Sequence, residues 1–366
     1  MTVPEGDGPN DSGANGTAGA TYAAAGVDIE AGERAVALMR GSVAGAGRPE
    51  VLGGLGGFAG LFRADFSRYR SPVLATSTDG VGTKVVIAQR MGVHDTIGRD
   101  LVGMVADDLV VCGAEPLFMT DYVACGRVVP ERIASVVAGV AEGCRLAGCA
   151  LLGGETAEHP GLLGPDEYDL AGAGTGVVEE GALLGPERVR PGDAIVAMGS
   201  SGLHSNGYSL ARHVFFTLAH WKLTRHVDTL GRTLGEELLE PTRIYARDCL
   251  ALMGSVDVHA FAHVTGGGIA ANLGRVLPET ADAVLERSTW TPAPVFGLLA
   301  EVGGVTREEA EQTVNQGIGM LAVLGPETAE GAVRLLAERG VPAWVAGEVV
   351  PGTGDARLTG EHPVRA

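Results

Sequence analysis

The chain has 366 residues, 45% hydrophobic and 20% charged, the balance of a globular protein long enough for two domains with a sizeable core. Its formal net charge of −18 argues against nonspecific binding to nucleic acid or to a membrane surface, both polyanionic, while leaving local phosphate pockets open. The five cysteines form no CxxC pair, there is no leader-like segment, and no apolar run reaches membrane-spanning length, so free thiols and a cytoplasmic location are expected.

Residues 1–20 are mostly Gly, Ala, Asn, Asp and Thr with little to bury, and read as a disordered tail. From Tyr22 to Met39 the apolar residues Ile29, Val36 and Leu38 fall at helical spacing. The run Gly53 to Gly60 (GGLGGFAG) departs from GxGxxG at Ala59 and lacks the lysine of a P-loop, so it reads as a turn or flap. Next comes Pro72 to Val86, PVLATSTDGVGTKVV: a β-branched strand that ends at Asp79 and Gly80, then Gly82, Thr83 and Lys84 where a helix can start. A carboxylate, two glycines and a lysine within six residues suit a metal-bound phosphate, the acid holding the cation while amides and ammonium face the anion. A plain strand, turn and surface lysine has the same pattern.

Helical spacing over His94 to Gly113 gives Leu101, Met104 and Val105 one face, and Asp108 falls on that same face beside Asp107. Glu115 to Cys125 reads as a strand and Pro130 to Leu146 as a helix. Ala150 to Leu152 reads as a short strand that releases Gly153, Gly154 and Glu155 at its end, and Tyr168 to Val178 as another strand. A second carboxylate beside glycine at a strand end strengthens the metal-phosphate reading, because such sites draw acids from separate elements. The stretch Glu179 to Pro191 marks a domain boundary, giving residues 21–182 and 190–366 as the two domains. The second opens on a strand at Asp193 to Met198, followed by GSSGLHSNG and a helix from Tyr208, a loop suited to an anion with His204, Ser205 and Asn206 projecting from it. Val258 to Ile269 repeats the strand, glycine loop and helix pattern with His263 and Thr265 at its lip. Further strands are expected at Ala283 to Glu286, Gly319 to Leu324 and Ala343 to Val350, and helices at Arg307 to Val314 and Thr328 to Arg339. Both halves mix strands and helices without strict βαβ alternation, which favours an α+β fold of two mixed domains over a doubly wound sheet.

In one order and spacing, TDGVGTK, DDLVVCGAEPLF, GGETAE, GSSGLHSNGYSL, PTRIYA, AHVTGGG and NQGIGM resemble the aminoimidazole ribonucleotide synthetase family, the phosphoribosylformylglycinamidine cyclo-ligases. The resemblance runs from about Tyr22 to the last strand. It implies a homodimer whose N-terminal sheets pair across a two-fold, with each active site in the cleft between the halves. It also implies ATP-dependent closure of formylglycinamidine ribonucleotide to aminoimidazole ribonucleotide in purine biosynthesis, with ATP and Mg2+ and a monovalent cation such as K+ left open.

Carried over motif by motif, Asp79, Asp108 and Glu155 become the metal ligands, with Asp107 a weaker candidate. Gly80, Gly82, Thr83, Lys84, Gly153 and Gly154 join them against ATP. Ser200, Ser201, His204, Ser205, Asn206, Thr265, Gly266 and Gly267 become substrate contacts. For proton transfer His204 is the first choice and His263 the second, with Lys84 against the triphosphate. Three positions depart from the family pattern: Asp107 where Asn is frequent, Arg40 where a lysine occurs, and Gln316 where some members carry cysteine. Other ATP-using relatives of the superfamily are the nearest alternatives, namely formylglycinamidine synthetase, selenophosphate synthetase and thiamine phosphate kinase. Selenophosphate synthetase needs an early cysteine or selenocysteine, and none precedes Cys112 here. A non-catalytic nucleotide-binding relative is expected to lose the acids that are retained here.

Overall fold

The computed structural model describes residues 21, 25–54 and 56–364, so the expected tail and Tyr22 lie outside the described residues. The first helix, α1 (Ile29–Gly45), begins where the Asp28 carboxylate accepts the Ala31 amide at 3.1 Å, an N-cap that fixes the start. Short strands β1 (Val51–Leu52) and β2 (Leu61–Phe62) pair antiparallel and carry the glycine-rich run between them as a hairpin loop.

The N-terminal layer follows as β3 (Pro72–Gly80), α2 (Val85–Met91), α3 (Ile97–Val110), β4 (Glu115–Cys125), α4 (Pro130–Ala147), β5 (Ala150–Glu158) and β6 (Tyr168–Glu179). The strands form one sheet in the order β3-β6-β4-β5, in which only the β4 and β5 pair is parallel. Alternation along β4 turns Met119, Asp121 and Val123 toward the helices, where they are buried, and Thr120 and Tyr122 away from them. Helices α3 and α4 cover that inner face at close range. A Cβ on Gly98 would stand 2.2 Å from the Val140 nitrogen, and one on Gly139 2.0 Å from the Asp95 oxygen, so glycine is required at both. The opposite face of the sheet is bare in the single chain, with Leu74 58% and Tyr122 40% exposed.

One strand differs from its expected form in a way that matters for the site. β5 does not stop at Leu152: it pairs with β4 from Ala150 to Glu158, running through both glycines. The backbone ladder outweighs the poor strand preference of glycine. Glu155 therefore sits mid-strand, not at a strand end.

The second half opens with β7 (Ala194–Gly199) and α5 (Tyr208–Arg212), which runs on as a π-helical turn over His213–Leu218. Then come β8 (His226–Val227), β9 (Arg232–Thr233), α6 (Leu234–Leu238), α7 (Ala246–Met253), β10 (Val258–His263), α8 (Gly268–Gly274), β11 (Ala281–Glu286), α9 (Pro294–Gly303) and α10 (Arg307–Thr313). The chain closes with β12 (Ile318–Leu324), α11 (Ala329–Glu338), β13 (Ala343–Pro351) and β14 (Ala356–Thr359). Six strands form a mixed sheet in the order β10-β12-β7-β13-β11-β14. Its central strands β7 and β12 are buried at every position, which explains their unbroken apolar runs. The chain is thus an α+β protein with one large sheet in each half, beside the two-stranded β1-β2 and β8-β9 pairs. α3 joins the large sheets, packing on β3 and β6 on one side and meeting α7 and β10 on the other.

Candidate active site at the seam between the two sheets

Three expected site residues meet where the C-terminal ends of β3, α3 and β10 converge. Asp79 is the penultimate residue of β3, with Oδ1 accepting the Gly80 amide at 2.7 Å. Asp108 stands in the last turn of α3 and His263 is the last residue of β10; Asp108 Oδ1 and His263 Nδ1 are 2.8 Å apart across the seam. The His263 side chain is only 3% exposed against 41% for Asp108, and its Nε2 has no hydrogen-bond partner among the described residues. Burial pulls the His263 pKa down. The hydrogen bond to Asp108, together with the charges of Asp107, Asp108 and Asp79, outweighs it and leaves the ring more basic than usual. Burial, and then the neighbouring Asp108 charge, push the Asp79 carboxyl up against the pull of the Gly80 amide. Asn206 reaches the same seam, its Nδ2 lying 3.5 Å from Met104 Sδ on α3, and exposed Gly266 and Gly267 follow His263 in the next loop.

Lys84 requires a correction. It is fully buried, and its Nζ donates to Asp100 Oδ1 at 2.8 Å, to the His204 carbonyl at 2.9 Å and to the Glu240 carbonyl at 2.6 Å. An ammonium has three donors, and all three are engaged, so Lys84 does not face a triphosphate. It pins two segments of the second half to the first. His204, the first choice for proton transfer, is also misplaced: it is 1% exposed, its Nε2 accepts the Ser201 amide at 3.1 Å, and burial holds its pKa well below the usual value. A neutral imidazole folded into its own loop, at φ +62°, serves structure.

The serines of that loop are likewise engaged within the protein. Ser200 Oγ lies 2.9 Å from the Gly202 carbonyl and 3.1 Å from Asn315 Oδ1, which share its one proton, Ser201 Oγ donates to the Pro241 carbonyl, and Ser205 Oγ lies 3.0 Å from Thr242 Oγ1. Thr265 Oγ1 donates to Asn272 Oδ1 at 3.3 Å. The loop is a self-bonded scaffold, and Asn206 is the side chain it extends to α3.

Glu155 does not join the other two acids. Asp79, Gly172, Asp121 and Gly154 occupy one row across the sheet, so Glu155 begins three strand spacings from Asp79, roughly 14 Å. Among the described residues no group of three or more His, Cys, Asp and Glu side chains stands close enough to enclose a metal ion. Asp79 and Asp108 alone still fit a hard divalent cation. They are two oxygen donors whose mutual repulsion raises the Asp79 pKa, which a cation relieves, and a cation held by two carboxylates keeps positions for phosphate oxygens and water.

Sequence reasoning missed Asp100 and underrated Asp107. Both are fully buried, seven residues apart on α3, and both receive the PTRIYA segment: Asp100 Oδ1 accepts the Thr242 amide and hydroxyl, while Asp107 accepts the Tyr245 amide at 2.9 Å. Burial pushes the Asp107 carboxyl up to about 7 despite the nearby His263. The family departure at this position therefore holds the seam together. The i, i+7 spacing of Asp100 and Asp107, which puts both on one side of α3, was the available signal. Of the other departures, Arg40 is exposed on α1, and Gln316, at φ +51°, accepts the Trp290 indole through its carbonyl.

A seam of this kind, between a four-stranded and a six-stranded sheet, belongs to a recognisable class. Residues 65–178 match the family model "AIR synthase related protein, N-terminal domain" and residues 190–358 the corresponding C-terminal domain. The chain is 51% identical over 337 residues to the phosphoribosylformylglycinamidine cyclo-ligase of Anaeromyxobacter sp. (strain Fw109-5), covering 92% of this chain and 97% of the relative. It is also 51% identical over 333 residues to that of Geobacillus kaustophilus (strain HTA426), covering 91% and 96%. The chain belongs to the phosphoribosylformylglycinamidine cyclo-ligase family of ligases. Its fold is shared with a hydrogenase maturation protein HypE solved in complex with ATP, at TM-score 0.65, 19% identity and 91% and 92% coverage. The same holds for thiamine-monophosphate kinase from Stenotrophomonas maltophilia K279a, at TM-score 0.61, 19% identity and 90% and 97% coverage.

Proposed function

We propose that the chain closes the imidazole ring of formylglycinamidine ribonucleotide at the expense of ATP, yielding aminoimidazole ribonucleotide, ADP and phosphate in de novo purine biosynthesis. The observation that carries this reading is half-identity with cyclo-ligases along nine-tenths of the chain, which separates it from the ATP-using relatives that share only the fold. Purified protein with Mg2+, ATP and synthetic formylglycinamidine ribonucleotide should form ADP and aminoimidazole ribonucleotide in equal amounts. ADP formation no faster with the substrate than without it overturns the reading.

The formyl amide oxygen is a poor leaving group. Its attack on the γ-phosphorus breaks the bond to ADP, and the amide nitrogen loses its proton as an O-phosphoryl imidate forms. The amidine nitrogen then adds to the imidate carbon and gives up its proton to a base, and phosphate departs with the C–O electron pair. In this reading Asp79 and Asp108 hold the divalent cation that accompanies ATP. When bound, that cation neutralises charge on the phosphoryl oxygens. Exposed Gly82 and Thr83 remain as backbone contacts to phosphate, with Gly80 beside them. His263 replaces His204 as the proton acceptor: Asp108 holds Nδ1 and so directs the free pair of Nε2 toward a proton. Asn206, Thr265, Gly266 and Gly267 border the same seam and take the substrate side.

The expected homodimer has support in the bare face of the N-terminal sheet, where Leu74, Tyr122, Thr76, Thr78 and Thr120 are exposed together. Two such faces placed against one another bury them.

A further inference from the structure

In the second half, a cavity of about 490 Å³ lies between α9 and α10, with none of the seam residues among those that line it. That volume falls in the range of small-molecule sites. Pro294 and Phe296 of α9 and Ala310 of α10 give it apolar walls. Gln316, one of the departures from the family pattern, lines it as well. This residue is 7% exposed, yet its side-chain amide has no hydrogen-bond partner among the described residues; only its carbonyl is engaged, accepting the Trp290 indole at 3.0 Å. Burying an amide without a partner is costly, and one that borders a cavity points to a ligand that satisfies it. His362, beyond β14, completes the polar lining. Its Nδ1 lies 3.0 Å from the Arg287 carbonyl and 3.1 Å from the Trp290 carbonyl. Both partners only accept, so Nδ1 carries the proton and Nε2 of the uncharged ring is left as an acceptor. The Trp290 ring packs edge to face against it at 4.7 Å and fixes its orientation.

The charges around the cavity disfavour an anion. Arg307 is taken up by both oxygens of Glu361 and Arg287 by both oxygens of Glu311, while exposed Glu301 adds a carboxylate with no ion pair among the described residues. No guanidinium is left for a phosphate or carboxylate. We propose that this cavity binds an uncharged, planar nitrogen heterocycle of nucleobase size. The Gln316 amide pairs with an adjacent donor and acceptor on one edge of the ring, and His362 Nε2 accepts an N–H from another edge. A free purine base carries this pattern. In adenine the 6-amino group donates beside an accepting ring nitrogen, the pair a glutamine amide matches, and N9–H supplies the second donor. A nucleoside has lost that N–H to its sugar, and a nucleotide adds the phosphate that the cavity has no cation to meet.

Adenine is the probe, titrated calorimetrically into the full chain with Mg2+ and a saturating nonhydrolysable ATP analogue present, so that any nucleotide site is already filled. It should bind the wild type at one saturable site with a Kd below about 1 mM, within reach of a ligand of about ten heavy atoms. Adenosine should bind about tenfold or more weaker, because its glycosylated nitrogen leaves His362 without a donor. Gln316→Met keeps the volume of the side chain and removes its donor and acceptor, and should weaken adenine about tenfold or more. Gly297→Trp sets a large ring on the α9 wall of the cavity and should abolish binding. A Cβ on Gly297 meets nothing within 4 Å and glycine is a poor helix former, so the fold accepts this variant. No adenine binding by the wild type, equal binding by folded Gln316→Met or Gly297→Trp, or adenosine bound as tightly as adenine overturns the inference.

Discussion

Replacing Lys84 by methionine separates its two readings, phosphate ligand and seam clamp. Both Lys84 and Asp100 are 0% exposed, and the pair is joined at 2.8 Å. Desolvation pushes the Asp100 carboxyl up and the Lys84 ammonium down, so each depends on the other to stay charged. Lys84→Met removes three charge-assisted hydrogen bonds and leaves Asp100 with only the Thr242 amide and hydroxyl. Breaking one side of a buried pair costs about 3–5 kcal/mol, a fall in Tm of roughly 6–20 °C for domains of this size. The double variant Lys84→Met with Asp100→Asn removes the orphaned charge and should recover about half or more of that loss. Thermal unfolding of the wild type, both single variants and the double variant supplies the cycle. A Lys84→Met protein that melts within about 2 °C of wild type but has a KM for ATP raised tenfold or more refutes the clamp and restores the phosphate contact.

At the seam, Asp79→Asn and His263→Gln should each lower kcat about a hundredfold or more while Asp79→Asn leaves Tm nearly unchanged, since the Asp79 carboxylate bonds only its own neighbouring amide. Full activity in either variant removes that residue from the site. His204→Gln should act the other way, lowering Tm more than kcat, because its ring is buried in the loop; a selective loss of kcat contradicts this. Leu74→Glu with Tyr122→Glu should halve the mass seen by sedimentation, and a monomeric wild type rules out pairing through that sheet face. The folded pKa of Asp121, about 7, lies above the unfolded carboxyl value, so its contribution to stability is complete below the unfolded value and is lost as pH rises through about 7. Asp121→Asn, free of that loss, should gain Tm relative to wild type between about pH 5 and pH 8; a constant difference contradicts the buried-acid assignment.

Much of the N-terminal sheet was legible because its strands carry the marks that pattern reading uses. Pro72 to Gly80 is β-branched and ends at a turn, Glu115 to Cys125 alternates, and Pro130 opens α4 where proline is favoured. β5 was truncated because Gly153 and Gly154 punctuate a strand locally, while its continuation is set by the ladder with β4. Helices α7 and α9 and strand β14 were missed for the same reason, since packing against distant elements defines them. At the site, the sequence marked Asp79, Asp108 and His263, but spacing along a chain does not report whether a polar side chain turns outward or inward. Lys84 follows a glycine turn as a phosphate-binding lysine does, yet residues 16, 120 and 156 positions away capture its ammonium. Asp121 carries no mark in the sequence that sets it apart, and its burial follows from the register that places it opposite Gly154.

The central claim is that the chain activates the formyl oxygen of its substrate by phosphorylation and closes the ring. It is tested most directly with formylglycinamidine ribonucleotide carrying 18O in the formyl group. The account predicts one labelled oxygen in each inorganic phosphate released, with ADP and aminoimidazole ribonucleotide formed in equal amounts. Unlabelled phosphate, or ADP without ring-closed product, contradicts it.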